Sequence, residues 1–214
     1  MSIDTASAPA LERNWWLRAP AVLLAPRAVF VSLRDDSDEA VGERQDPIAF
    51  VAGFAGVAAM LATSQARHLL NDYQVTTILI PIWAFIAGSA YAFALWWLGG
   101  GLLYLGSRRL GSEGSWRRSR HLVGLALAPL ALALVTFWPL RILIYGEDLF
   151  RTGGADYGRG DAIFGGIFLG IVAWCAILLL QGVRTVHGWS WTRSAGAVAI
   201  AAFLPALIAA ASLL

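Results

Sequence analysis

The chain has 214 residues, of which 58% are hydrophobic and 14% charged, with a mean hydropathy of +0.63 and a formal net charge of +2. Soluble domains carry about 25% charged and about 45–50% apolar residues, so an ordinary soluble domain is excluded and one multi-span helical bundle is expected. The small net charge marks no nucleic-acid partner; the basic residues lie in loops that flank apolar runs, where membrane orientation accounts for them.

Every one of the 16 Lys-plus-Arg positions is arginine. With the abundant Ala and Gly, this points to a bacterial, high-GC source. The lone Cys175 sits in an apolar run, so neither an intrachain disulfide nor a thiolate metal cluster is expected.

Residues 1–13 are small and polar, and are read as disordered. They carry acids and no early basic patch, unlike a secretory signal. Trp15 and Trp16 beside Arg18 suit the headgroup layer. Pro26 opens a short stretch to Leu33 that places Val29, Phe30 and Leu33 on one helical side. It is too short to span, and is read as an in-plane amphipathic helix. Asp35, Asp36, Asp38, Glu39, Glu43 and Asp46 then form an acidic linker up to Pro47.

Five spans are expected after that linker. The first runs from about Ile48 to Ser64, with Gly53 and Gly56 on a small-residue face. A brief loop with Arg67, His68 and Asp72 follows. The second span, Thr76 to Leu105, exceeds the bilayer thickness and must tilt, protrude or bend, with Pro81 and Gly99-Gly100-Gly101 as bend sites. The third runs from about His121 past Pro129 and Pro139, with Arg141 reaching for the interface. Gly146 to Asp161 is a glycine-rich loop. The fourth, about Ala162 to Gln181, carries Gly166-Ile-Phe-Leu-Gly170, whose spacing admits a close neighbouring helix. Ala195 to Leu214 is the fifth.

Between the second and third spans lies GSRRLGSEGSWRRSR, with Arg108, Arg109, Arg117, Arg118 and Arg120. Such a loop stays on the cytoplasmic side, and these arginines are also candidates for anionic-lipid contact. With the N-terminus inside and the C-terminus outside, 12 of the 16 arginines fall on the cytoplasmic face. Residues 1–46 are thus a cytoplasmic segment and residues 47–214 a five-helix transmembrane domain.

No Asp, Glu, Lys, Arg or His falls inside the expected spans, which argues against an ion-coupled transporter. His68, His121 and His187 are far apart and lack metal-binding spacing, and no nucleophile elbow occurs. Neither an enzyme nor a cofactor is expected.

Three stretches bring a family into view. They are Ala25 to Leu33 with its acidic sequel; Gly124-Leu-Ala-Leu-Ala-Pro129 continued by Trp138-Pro-Leu and Gly146 to Phe150; and Gln181 to Trp189 between the last two spans. In order and spacing they resemble the Ypt-interacting protein (YIP-one domain) membrane family, in its bacterial type. The resemblance implies five membrane helices and a cytoplasmic N-terminus. Eukaryotic members are linked to Rab-type GTPases and carry an Asp-Leu-Tyr-Gly-Pro motif that this chain lacks.

The expected fold is therefore all-α: an integral membrane bundle of five transmembrane helices with an N-terminal interfacial amphipathic helix, in a bacterial plasma membrane. The expected role is a scaffold, assembly factor or accessory subunit. Its partners would be membrane lipids and other integral membrane proteins or a second copy, met through Gly53, Gly56, Gly166 and Gly170. The alternative is transport or lipid handling through a cavity lined by spans bent at Pro81, Pro129 and Pro205.

Overall fold

The computed structural model describes residues 14–72 and 76–211, with side chains to Phe203. The leading segment read as disordered, residues 1–13, lies outside the described residues. All the regular structure described is helical.

Two short helices come first, α1 (Trp15–Ala21) and α2 (Pro26–Ser32). Pro26 sits in the first turn of α2, where a missing N–H costs nothing. Val29, Phe30 and Leu33 are buried in a cluster with Leu122 and Val183. The apolar side of α2 therefore faces the bundle, and core burial instead of insertion between acyl chains explains its composition.

The acidic linker is not a linker. Helix α3 (Asp38–Leu61) begins inside it and runs through Pro47 without a break, so the 46/47 boundary falls within a helix. Ser37 accepts the Ala40 N–H, and Asp38 and Glu39 follow in the first turn. A capping hydroxyl and carboxylates at the positive end of the helix dipole are ordinary start signals. Beyond Ala62 the expected loop is a helical turn, α4 (Ser64–His68), continued by a 3-10 turn, and this unit is bent by 49° from α3.

Helix α5 (Leu79–Arg109) is one unbroken helix of 31 residues, about 45 Å long. Pro81 lies in its first turn, where no intrahelical donor is lost, so it does not interrupt the helix. The triple glycine is not a break either; Gly100 instead lets α6 approach, with Arg120 Cα only 2.7 Å from where a Cβ would stand. The third expected span is broken into α6 (Trp116–Ala126), α7 (Ala128–Val135) and α8 (Phe137–Tyr145). The breaks, at Leu127 and Thr136, precede Pro129 and Pro139, neither of which can donate to the preceding turn. The glycine-rich loop after α8 is folded too: Gly146–Phe150 forms a 3-10 turn that buries Leu149 and Phe150. Helices α9 (Arg159–His187) and α10 (Trp191–Ala211) complete the chain.

Three helical stretches are long and apolar enough to cross a membrane: α5, the run from Trp116 to Phe150, and α9. Helix α3 with α4 and its 3-10 turn makes a fourth if the bent pair is one span. Helix α10, with side chains described only in part, stays outside that count.

Helices α3 and α5 cross closely because Gly56, which has no side chain, meets the Gly88 carbonyl and the Ala92 methyl group. The core is divided along the bundle. One cluster gathers Phe30, Leu33, Ile48, Trp96, Leu122 and Val183 near the arginine loop. A second gathers Leu61, Ile80, Phe137, Trp138, Phe150 and Phe164 at the opposite end, and a small third joins Ala55, Leu130 and Cys175.

Candidate functional site

The four glycines expected at an interface do different things. Gly56 is consumed by the contact with α5, inside the molecule. Among the described residues, nothing lies within 4 Å of a would-be Cβ at Gly53, Gly166 or Gly170. Gly166 and Gly170 lie on the outer side of α9 beside Ile163, Ile167 and Leu169, which are 50–68% exposed. The inner side of the same helix holds Phe164, Cys175, Leu178 and Val183 in the core. An open apolar stripe with two glycines at its centre therefore faces outward, into whatever surrounds the bundle.

The five loop arginines separate into two groups. Arg108 and Arg109 are exposed at the end of α5, the former over the ring of Tyr104. Arg117, Arg118 and Arg120 lie on α6 and meet other side chains, Arg117 exposed, Arg118 half-buried and Arg120 buried. Arg117 pairs with Asp38, and Arg118 reaches Asp36 at 3.5 Å and donates to the Arg34 carbonyl at 2.8 Å. Acidic segment and arginine loop, some 80 residues apart, thus neutralise each other. Asp35 shares in this ordering by accepting the Ser37 N–H at 3.0 Å, which holds its carboxyl below the usual carboxylate range.

Beneath them lies a buried polar layer. Arg44 and His121 have no exposed surface. Arg44 Nε donates to His121 Nδ1 at 2.9 Å, and its other nitrogens donate to the Asp35 carbonyl and the Asp36 carboxylate. A nitrogen that accepts from arginine carries no proton. His121 Nε2 therefore holds the ring proton and donates to Gln45 Oε1 at 3.0 Å, a tautomer set by this network. Gln45 Oε1 also accepts from Arg120 at 2.6 Å. The Arg120 guanidinium sits 4.5–5.1 Å from the ring centres of Trp96, Trp97 and Trp116, a cage of π-faces for one cation.

The far end has its own charged group. Arg141 does not reach for the interface; it is 4% exposed and donates to Asp156 at 2.5 Å and Asp161 at 3.0 Å. Asp161 also accepts from Arg67 at 2.8 Å. Beside this group opens an apolar hollow of about 700 Å³ lined by Leu61, Ile80, Pro81, Phe85, Trp138 and Phe150.

Helices α3, α6 and α8 carry ionisable side chains at the edges of the expected spans: Arg44 precedes the first, Arg120 and His121 open the third, and Arg141 lies near its end. They gather at helix ends, where each finds a partner. Nothing local in the chain marks the pairing of Arg44 with His121, 77 residues apart. One sign was readable: Trp116 and Arg120 are four apart on a helix and share a face. The three histidines are indeed separate, His68 beside Thr152, His121 beside Arg44 and His187 beside Ser112. Among the described residues no group of three or more His, Cys, Asp or Glu side chains could hold a metal.

Residues 12–213 match the family model described as the Yip1 domain. No curated protein and no solved structure gives a match to the chain.

Proposed function

The chain belongs to the Yip1-domain family of membrane-embedded proteins, and on that premise we propose that it is a non-enzymatic scaffold, assembly factor or accessory subunit. The observation that carries this reading is the bare outer stripe of α9, where Gly166 and Gly170 stand open. Two glycines one turn apart permit backbone-to-backbone packing of a partner helix in lipid, where close packing drives association. The partner is a helix of another integral membrane protein or of a second copy. In this reading α10 is the fifth span. The N-terminus is cytoplasmic and the C-terminus extracytoplasmic, in a bacterial plasma membrane, as the arginine excess at one end favours.

The test is a pair of substitutions, Gly166→Leu and Gly170→Leu, made in the full chain at native expression. Complexes are cross-linked in the membrane and recovered in mild detergent. Loss of the cross-linked species with normal insertion supports the interface. Retention of the same complexes rules it out.

A second reading, lipid or small-molecule handling, draws support from the apolar hollow beside Trp138. Its size lies in the range of about 300–1,000 Å³ usual for ligand sites. Filling it through Ala84→Phe should abolish binding of an apolar ligand there and leave the α9 complexes intact.

A further inference from the structure

A groove unconnected with the α9 stripe opens between α2 and the turn joining α9 to α10. It has a volume of about 360 Å³, and its lining includes Arg27, Arg34, Arg184, Trp189 and Trp191. No acid lines it. Arg44, Arg117 and Arg118 at this end all have a carboxylate within 4 Å; among the described residues, Arg27, Arg34 and Arg184 have none. Arg34 donates one bond, to the Thr185 carbonyl at 2.6 Å, which fixes α2 against α9 and leaves its other N–H groups available. The Arg184 guanidinium lies 4.5 Å from the Trp191 ring centre, and Arg193 lies 4.4 Å from that of Trp189. Three arginines with spare donors and no counter-charge form a site for an anion with several acceptor oxygens.

The groove does not end there. An apolar trough of about 640 Å³ adjoins it, formed by Ala25, Pro26 and Ala28 and sharing Arg27, Val31 and Gln181 with it. Polar pocket and apolar trough are therefore one continuous depression with a charged end and a greasy end. A free phosphate would use only the first. A molecule with an anionic head and a hydrocarbon tail uses both, and the flanking tryptophans are the residues that sit at headgroup level.

We propose that this depression binds an anionic phospholipid, its phosphate held by Arg27, Arg34 and Arg184 and the start of one acyl chain laid along Ala25, Ala28 and Val31. Bound there, the lipid ties α2 to the α9–α10 turn and supplies the negative charge that this end lacks. At the opposite end Arg151 and Arg159 are also exposed cations, but they line neither part of this depression, so they serve as the internal control.

The experiment uses the full chain in nanodiscs and in detergent. Arg27→Gln and Arg184→Gln are compared with Arg151→Gln and Arg159→Gln; Arg34 is left intact because its bond to Thr185 holds the fold. Native mass spectrometry counts retained phosphatidylglycerol against phosphatidylcholine, and thermal unfolding follows the response to each lipid and to inorganic phosphate. The expected result is preferential retention of phosphatidylglycerol, weakened about tenfold or more in the groove variants and unchanged in the controls. A groove variant that unfolds without added lipid is replaced by the conservative Arg184→Lys, expected to retain part of the preference. Equal retention of both lipids, or equal loss in controls and groove variants, overturns the proposal. A phosphate response as large as that to phosphatidylglycerol overturns the lipid assignment.

Discussion

The two ends of the bundle each bury an arginine, and they treat it differently. At the far end Arg141 meets Asp156 and Asp161, and Arg67 closes the group, so two cations face two carboxylates. At the arginine end the cations outnumber the acids that reach them. Asp36 serves both Arg44 and Arg118, Asp38 serves Arg117, and Arg120 falls back on three indole faces and Gln45. Arg27, Arg34 and Arg184 are left around an open groove. A balanced charged group is a structural clasp with no demand on its surroundings. An unbalanced one leaves attraction for an anion, and an end so charged resists translocation.

The comparison is broken most severely at the far end. Arg141→Leu leaves Asp156 buried and uncompensated, and a loss of about 3–5 kcal/mol is expected in detergent unfolding. The double variant Arg141→Leu with Asp156→Leu should recover much of that loss, because no buried charge remains. Failure to recover would mean that the pair does more than neutralise itself.

Midway between the ends, Gly88→Leu drives a side chain into α3, where Val57 Cα stands 2.6 Å from the would-be Cβ. A cost of about 1–3 kcal/mol is expected from overpacking alone. Gly166→Leu, on the bare face of α9, should leave the unfolding midpoint of the isolated protein unchanged. Equal effects from the two substitutions would erase the distinction between an internal crossing and an open stripe.

At the arginine end His121→Phe removes the acceptor of Arg44 Nε and leaves a buried donor unmade, for about 1–3 kcal/mol. The smallest effect is expected for Arg117→Ala. Its partner Asp38 is 92% exposed, and pairs in water contribute about 0.2–1 kcal/mol. High salt should shrink that difference further and leave the His121 effect in place.

Much of the layout was legible in the chain itself. The short helix with Pro26 in its first turn and the glycines on the fourth apolar run were read from local pattern, whereas the expected polar loop shrinks to residues 110–115, its five arginines lying in the last turn of α5 and the start of α6. The start of α3 was also readable and was missed: Ser37 followed by Asp38 and Glu39 is a helix cap, but six acids in twelve residues look like a solvated linker until the arginines opposite them are known. Among the prolines expected to bend spans, Pro129 does so and Pro81 does not. Pro81 falls where a helix tolerates it, whereas Pro129 and Pro139 divide a run that hydropathy alone presents as continuous.

Composition and periodicity determined what each segment must avoid: apolar stretches must leave water, and arginine clusters must stay in it. Those are one-body preferences, fixed by transfer free energy residue by residue. Pairings are two-body facts, and the chain order does not encode them. Which glycine is packed and which is open, which arginine meets Asp36 and which is left to line a groove, and whether α2 turns its apolar side to lipid or to the core were settled only when α2, α3, α6 and α9 came together. The reason is that a buried charge or a backbone crossing is tolerable only beside its specific partner, which lies 15 residues away for Arg141 and Asp156 and 77 for Arg44 and His121.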